Sequence, residues 1–261
     1  MSTTPVLTPS FVDLSIIIPA YNEEHRIVPT LQAIQRFAAQ SPLRIEILVV
    51  DDGSKDRTAA VVEAEQANIP GLRLVRQLPN RGKGAAVRLG MLSARGQLRM
   101  MHDADGSMPT EEIARLLTAV TSNRAEIAIG SRYVDGKAAT SQPLYRRLWS
   151  RLCNQVIQRS LVPGINDTQC GFKVFTADAA RELFGTGRID GWAFDLEILA
   201  LARRRGYAIE EIGITWVDDP RSRVNPLSDM WKVVSEAWTI RRNLRSGVYA
   251  RPSRVIASGS C

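Results

Sequence analysis

Two aspartates separated by one residue, Asp103 and Asp105, follow the apolar stretch of residues 97–101. In an extended segment, side chains at positions i and i+2 point to the same side, so these two carboxylates could bind one cation. Carboxylate oxygens suit a hard divalent ion that keeps part of its hydration shell, and such an ion can neutralise a departing diphosphate. Aspartate, glycine and proline are also the usual residues of turns, so a loop without a ligand is the competing interpretation.

A second pair of acids, Asp51 and Asp52, follows the apolar residues 45–50. Their oxygens could accept hydrogen bonds from a nucleotide base or a ribose. Residues 52–54 (Asp-Gly-Ser) could equally form only a turn before a helix, because short polar residues cap helix N-termini. The sequence leaves both interpretations open.

A glycine-rich segment, Asn-Arg-Gly-Lys-Gly, occupies residues 80–84 and precedes a predicted helix. Glycines let a backbone approach a ligand closely, and the free N–H groups at a helix start attract phosphate. The spacing differs from that of a P-loop, which needs four residues between its first glycine and its Gly-Lys pair. The segment therefore predicts either a phosphate-binding turn with Lys83 near the ligand or a plain helix entry with a solvated Lys83.

Alternating strand and helix patterns must position these groups. Short runs rich in apolar residues, β-branched at 14–19, predict strands at residues 14–19, 45–50, 72–75, 97–101 and 127–129. Apolar residues at helical spacing predict helices at 30–39, 56–67, 84–94 and 111–121. This rhythm indicates an α/β fold with a mostly parallel central sheet flanked by helices. Ligands bind such sheets beyond the carboxyl ends of the strands, so the polar groups after residues 18, 50 and 101 should converge on one crevice.

The second half of the chain contains longer amphipathic segments. Residues 142–161 form a basic amphipathic segment, residues 190–205 and 226–245 predict helices, and residues 209–217 predict a strand. Arginines beside a tryptophan-bearing apolar stripe, as in 142–161 and 226–245, are typical of helices on an anionic membrane surface. Ordinary helices packed on the sheet are the alternative. We expect an N-terminal tail at 1–12, one domain at 13–246 with halves 13–130 and 131–246, and a disordered tail at 247–261.

Composition narrows the classes of function. The 261 residues carry a formal net charge of +7, which favours a phosphate-bearing partner such as a nucleotide, a nucleic acid or an anionic membrane. The 3 cysteines fit neither a disulfide framework nor a zinc site, so we expect a reducing, cytoplasmic compartment. We find neither a signal peptide nor an apolar run long enough to span a bilayer, so membrane contact should be peripheral.

Seven motifs, in matching order and spacing, resemble the family 2 glycosyltransferases of the GT-A fold. They lie at residues 18–23, 49–54, 80–84, 103–105, 130–133, 167–173 and 192–197. The last three are similar to the polyprenyl-phosphate sugar synthases, and most of all to the dolichyl-phosphate β-glucosyltransferases. The resemblance covers residues 12–245. It implies a metal-dependent, inverting transfer of a sugar from a nucleotide diphosphate to a polyprenyl phosphate.

The resemblance also implies roles for individual residues. The residues expected to bind the nucleotide sugar are Pro19, Tyr21, Glu23, Asp52, Lys83, Asp103, Ala104, Gln169 and Lys173. The expected ligands of Mg²⁺ or Mn²⁺ are Asp103 and, as the main ligand, Asp105. The residues expected at the acceptor phosphate are Arg132, Arg146, Ser150, Arg221 and Arg223. Catalysis is expected to use Asp105, Arg132, Arg146 and Asp195, with Asp195 or Glu197 orienting the donor sugar.

Several substrates and classes remain as alternatives. UDP-glucose is the expected donor, and GDP-mannose is its nearest rival. A phosphate acceptor is already ionised at neutral pH and needs no strong general base. A family 2 enzyme acting on a soluble or saccharide acceptor would instead need a base at Asp195 or Glu197.

A basic nucleic-acid-binding module belongs to another class. The acids at the predicted crevice and the lack of a stacking platform argue against it, so we expect no nucleic-acid partner. We expect a peripheral protein on the cytosolic face of a membrane. The sequence does not decide between a monomer and a homo-oligomer.

Overall fold

The computed structural model describes residues 12–134, 161–215 and 226–250, without the side chains at 226–231. The segment predicted at 142–161 and the two terminal tails lie almost wholly outside the described residues. The strands are β1 (Leu14–Ala20), β2 (Ile45–Asp51), β3 (Leu72–Arg76), β4 (Leu98–Met101), β5 (Ile127–Ser131), β6 (Lys173–Thr176) and β7 (Ile209–Gly213). The helices are α1 (Ile27–Gln40), α2 (Thr58–Glu65), α3 (Lys83–Ser93), α4 (Ile113–Thr121), α5 (Ala177–Thr186), α6 (Phe194–Arg204) and α7 (Pro226–Ser246).

These strands form one sheet in the order β3-β2-β1-β4-β6-β5-β7. Four of the pairings are parallel, namely β1 with β2, β1 with β4, β2 with β3, and β5 with β7. Strand β6 runs antiparallel to its neighbours β4 and β5. The predicted α/β fold with a mostly parallel sheet is confirmed. Strand β6 and helix α5 were not predicted, because a four-residue strand that begins with lysine shows no apolar pattern.

Helix α3 packs closely on the buried centre of the sheet. The strand residues there, among them Ile17 and Val50, are fully buried, as expected for a sheet covered on both faces. A Cβ atom placed on Gly90 of α3 would lie 2.4 Å from Cγ2 of Ile17 and 2.9 Å from Cγ2 of Val50. Only glycine allows this approach. Because α3 begins at Lys83, the packing at Gly90 helps to fix where the Lys83 side chain lies.

Two boundaries differ from the sequence-based expectation. The strand predicted at 209–217 ends at Gly213, opposite Ser131, the last residue of its partner β5. The helix predicted at 190–205 begins at Phe194. Residues 190–193 form a loop instead, and the carbonyl of Asp190 accepts a hydrogen bond from Ala85 of α3 rather than from a residue of α6.

Candidate active site

Four charged side chains of alternating sign meet at the carboxyl edge of the sheet. The ammonium of Lys83 lies 2.7 Å from Oδ1 of Asp103, and the ammonium of Lys173 lies 2.7 Å from Oδ1 of Asp195. Lys83 begins α3 and Asp103 follows β4. Lys173 begins β6, and Asp195 lies in the first turn of α6. The pairing of β4 with β6 brings two distant motifs together. These four predicted site residues are hereafter the charged cluster.

Burial and pairing affect the two acids of the charged cluster differently. Burial disfavours the charged form of Asp103, but Lys83 outweighs it and lowers the pKa of Asp103 below its ordinary value. For Asp195, burial dominates and raises the pKa, although Lys173 opposes the shift. Burial lowers the pKa of Lys83, and Asp103 more than compensates, so that the pKa is raised. Lys83 and Asp103 therefore form an ion pair at neutral pH.

Asp105 lies in a turn directly after this cluster. Its Oδ1 accepts hydrogen bonds from the N–H (3.0 Å) and the Oγ (2.7 Å) of Ser107, so residues 105–107 form a turn. Ala104, between the two aspartates, is buried, and its carbonyl accepts a hydrogen bond from Thr30 at 2.9 Å. The turn does not exclude a cation, because these bonds use only Oδ1 of Asp105.

The two aspartates fit a hydrated divalent ion. In the part of the chain that the structure describes, no group of three or more histidine, cysteine, aspartate or glutamate residues is placed to hold a metal. Two carboxylates are nevertheless sufficient for Mg²⁺ when diphosphate oxygens and water complete its shell. The ammonium of Lys83 at Asp103 shows that this position attracts a cation. Asp103 and Asp105 are the residues that would hold Mg²⁺ or Mn²⁺.

Asp52 fixes the glycine-rich turn that leads into α3. Its Oδ1 accepts hydrogen bonds from Nε2 of Gln77 at 2.6 Å and from the N–H of Arg81 at 2.9 Å. Its Oδ2 accepts hydrogen bonds from Nδ2 of Asn80 at 2.9 Å and from the N–H of Gly82 at 2.8 Å. Asp52 is thus a buried, fully paired carboxylate. Its contact with a nucleotide base stays a prediction.

The glycines of this turn pack against protein backbone. A Cβ on Gly82, whose φ is 106°, would lie 2.6 Å from the carbonyl oxygen of Asp190, and one on Gly84 would lie 2.7 Å from that of Ile189. Glycine is therefore required for α3 to meet the loop before α6. The turn is a helix entry in which Lys83 is paired with Asp103 rather than solvated. Phosphate binding by this turn stays a prediction.

Trp192 contacts the charged cluster and was not among the candidate site residues. Its ring centre lies 5.4 Å from the ammonium of Lys83, within the range of a cation–π interaction. The N–H of the next residue, Ala193, donates a hydrogen bond to Glu236 of α7 at 2.8 Å. Trp192 falls in one of the recognised motifs, but nothing in the sequence identifies Lys83 as its partner.

The residues predicted to bind the nucleoside lie at the end of β1 and directly after it. Pro19 is half-buried and Tyr21 is exposed. The carboxylate of Glu23 accepts hydrogen bonds from Nε of Arg26 at 2.6 Å and from its Nη2 at 2.5 Å. A ribose hydroxyl at Glu23 would therefore share that carboxylate with Arg26. Gln169, predicted to contact the donor, is exposed.

Arg132 is held by Asp167 in a two-pronged ion pair. Its Nε lies 2.8 Å from Oδ2 and its Nη2 lies 2.9 Å from Oδ1 of Asp167. An acceptor phosphate at Arg132 would have to use the remaining N–H groups of the guanidinium. The other residues predicted at the acceptor phosphate lie outside the described residues, namely Arg146, Ser150, Arg221 and Arg223.

Glu197 lies apart from the charged cluster and has a structural role. Its Oε2 accepts hydrogen bonds from the N–H groups of Arg188 at 2.8 Å and Ile189 at 2.9 Å. Its Oε1 accepts a hydrogen bond from the hydroxyl of Tyr249 at 2.5 Å. Glu197 thereby joins the loop before α6 to the segment after α7. Of the two acids considered for orienting the donor sugar, only Asp195 is in the cluster.

The seven-stranded, mostly parallel sheet with the antiparallel strand β6 beside β4 has the GT-A fold. Residues 15–184 match the family model for glycosyl transferase family 2. The chain belongs to this family and is a glycosyltransferase.

Two relatives span most of the chain. It is 37% identical over 254 residues to the dolichyl-phosphate beta-glucosyltransferase ALG5C of Trichomonas vaginalis, covering 94% of this chain and 75% of the relative. It is 35% identical over 248 residues to the dolichyl-phosphate beta-glucosyltransferase of Dictyostelium discoideum, covering 90% of this chain and 76% of the relative. The resemblance inferred from the motifs is confirmed.

A solved structure shares the fold. The glucosyl-3-phosphoglycerate synthase of Mycobacterium tuberculosis, in complex with Mn²⁺, UDP-glucose and phosphoglyceric acid, matches with a TM-score of 0.64 at 18% identity. The match covers 93% of this chain and 81% of that protein. At this identity the likeness shows the fold alone.

Proposed function

We propose that the chain transfers glucose from UDP-glucose to a dolichyl or other polyprenyl phosphate, with inversion at the sugar. The observation that carries the proposal is the charged cluster, which places the ammonium of Lys83 beside the carboxylate of Asp103 at the carboxyl edge of the sheet, two residues before Asp105. That combination suits a nucleotide diphosphate. The relatives named dolichyl-phosphate beta-glucosyltransferase support the choice of sugar and acceptor.

Asp103 and Asp105 hold the divalent metal, Mg²⁺ or Mn²⁺, which neutralises the departing UDP when it is bound. A structural neighbour of the same fold was solved in complex with Mn²⁺ and UDP-glucose. Lys83 lies close to the diphosphate, and Pro19, Tyr21 and Glu23 line the nucleoside pocket. Electrostatic stabilisation and positioning supply most of the rate enhancement.

The acceptor reaches the site as an anion. A phosphate monoester is largely ionised at pH 7, so no residue has to remove its proton. Asp195 accordingly needs no free carboxylate, and its ion pair with Lys173 holds it to orient the donor sugar. Arg132, and with it Arg146, Ser150, Arg221 and Arg223, bind the acceptor phosphate in this proposal.

A transfer assay tests donor and acceptor together. Purified protein with Mg²⁺ and a short polyprenyl phosphate in detergent is offered labelled UDP-glucose, GDP-mannose or UDP-GlcNAc. We expect label in the organic phase from UDP-glucose alone, and none when the matched polyprenyl alcohol replaces the phosphate. Label from GDP-mannose alone would overturn the donor, and transfer only to a water-soluble saccharide would overturn the acceptor.

We also propose that α7 attaches the enzyme to the cytosolic face of a membrane. Along the described part of the chain, no helix combines the length and apolar character needed to cross a bilayer. On α7, Val234 (43% exposed) and Trp238 (65% exposed) share one helix face with Arg241 and Arg245. A groove of about 530 Å³ is lined there by Trp238, Arg241, Arg242, Arg245 and Ser246. Leu244, farther along the same helix, packs against the core.

Reversing two charges on α7 tests this attachment. The double variant Arg241→Glu/Arg245→Glu is expected to bind anionic phosphatidylglycerol vesicles at least about thirtyfold more weakly, because each basic residue near such a surface contributes about 1 kcal/mol. Vesicle flotation measures the binding. The matched control Arg36→Glu/Arg95→Glu reverses two exposed arginines elsewhere and should bind as the parent does. Equal weakening by both variants would indicate a general charge effect and contradict a role for α7.

A further inference from the structure

Both carboxylate oxygens of Asp103 are already in contact with the protein. Its Oδ1 lies 2.7 Å from the ammonium of Lys83. Its Oδ2 lies against Gly171, since a Cβ placed on that glycine would be 2.0 Å from it. A metal ligand that is paired with an internal cation must give up that pairing before it can bind a metal ion through the same oxygen.

The position of Lys83 is supported from several sides. Its side chain is only 23% exposed, and the ring of Trp192 lies 5.4 Å from its ammonium. Asp105 and Asp195 also attract it electrostatically. Four side chains from two segments, residues 103–105 and 192–195, therefore favour an ammonium at the point where Asp103 would meet a metal.

We propose that Lys83 acts as an internal counter-ion, which neutralises Asp103 in the empty site and moves to the diphosphate when a nucleoside diphosphate arrives with its divalent cation. The inference rests on the proposed donor site. Two cations at one carboxylate oxygen repel each other strongly in a partly buried site. The negative charges of a diphosphate give Lys83 a new partner, whereas the metal alone offers it none.

A consequence is that metal and nucleotide bind cooperatively. The metal alone must displace Lys83 without compensation, so its affinity is low. With the nucleotide present, the ammonium of Lys83 pairs with the diphosphate. The carboxylate of Asp103 can then bind the metal. Because coupling between two ligands is reciprocal, the metal must strengthen nucleotide binding by the same factor.

The variant Lys83→Met removes the ammonium and keeps a side chain of similar length. Mn²⁺ binding is measured by electron paramagnetic resonance with and without UDP, with correction for the Mn²⁺–UDP complex formed in solution. In the parent protein, UDP is expected to strengthen Mn²⁺ binding by about 10–100-fold. In Lys83→Met, Mn²⁺ alone is expected to bind about tenfold more tightly than in the parent, and the gain from UDP should be about tenfold smaller than in the parent, because only direct ligation of the metal by the diphosphate remains.

Two control variants separate this role from a general loss of charge. Lys55→Met removes an exposed lysine and should behave as the parent, and Lys83→Arg should keep the weak binding of Mn²⁺ alone. Lys83→Gln gives the same test should the methionine variant fail to fold. If loss of the ammonium leaves Mn²⁺ binding unchanged, or if the parent shows no coupling, the inference is overturned. Failure of the proposed function is distinguishable, because Mn²⁺ and UDP would then bind together without any lipid-linked product.

Discussion

Asp105→Ala is expected to lower the rate of glucosyl transfer to polyprenyl phosphate by about 10³-fold, because the departing diphosphate loses the stabilisation of its negative charge. The side chain is half-buried and its Oδ1 bonds only to Ser107 two residues on, so its removal disturbs the turn locally. The initial rate of label transfer to the organic phase measures the effect. The free energy of unfolding should change by less than about 2 kcal/mol, which is the range for losing hydrogen bonds of this kind.

Asp178→Ala is the matched control for this change. Asp178 lies in the first turn of α5, and its side chain is 88% exposed. We expect Asp178→Ala to transfer glucose at the parent rate with Mg²⁺ and to lose activity in excess EDTA as the parent does. An Asp105→Ala enzyme that retains the parent rate, in the presence of EDTA as well, would contradict a metal held at Asp105.

The sequence predicted the parallel half of the fold well because each of its strands is a short apolar run. Residues 14–20 and 45–51 are buried on both faces and mostly apolar, and their few polar members, such as Ser15 and Glu46, do not hide the pattern. Acids follow the carboxyl ends of these strands, and the rule that ligands bind at those ends predicts a crevice there. Local sequence patterns were therefore sufficient to predict these strands.

The antiparallel strand β6 could not be found by the same rules. It begins with Lys173, which is 1% exposed. A lysine at a buried position makes sense only once Asp195, from α6, supplies the opposite charge at 2.7 Å. The sequence offers both residues, but it does not say that two elements bring them together. The resemblance to a family marked Lys173 as a donor contact without revealing that it also begins a strand.

The turn at residues 80–84 is a second feature whose role could not be predicted from the sequence alone. Its glycines suggested room for a phosphate, and they are required because α3 packs on the loop that carries Asp190. Asp52 suggested a base contact, and its carboxylate accepts four hydrogen bonds from the turn and from Gln77. The residue types that bind a ligand can also hold a neighbouring ligand-binding residue in position. In this turn they position Lys83. Only tertiary contacts distinguish the two uses.

Gly171 packs directly against the carboxylate of Asp103, a predicted metal ligand. It precedes β6 and lies against the carboxylate of Asp103, so that a Cβ would be 2.0 Å from Oδ2 and 2.6 Å from Cγ. Such an approach is impossible for real atoms, and the backbone of Gly171 is tied to the neighbouring strand β6. The carboxylate of Asp103 is the group that must move, and its movement breaks the contact with Lys83.

Gly171→Ala is therefore expected to lower the transfer rate by about 100-fold, since a displacement of about 1 Å in a catalytic group can cost that much. The cost to the free energy of unfolding should stay at or below about 3 kcal/mol, the range for adding one methyl group to a packed site. The matched control is Gly185→Ala in α5, where a Cβ meets nothing within 4 Å and helix propensity favours alanine. Transfer assays and thermal melts should show Gly185→Ala active and at least as stable as the parent. If Gly171→Ala kept the parent rate and the parent affinity for Mn²⁺ with UDP, Asp103 could not have the role in metal binding proposed for it, because its carboxylate cannot stay in place beside that methyl group.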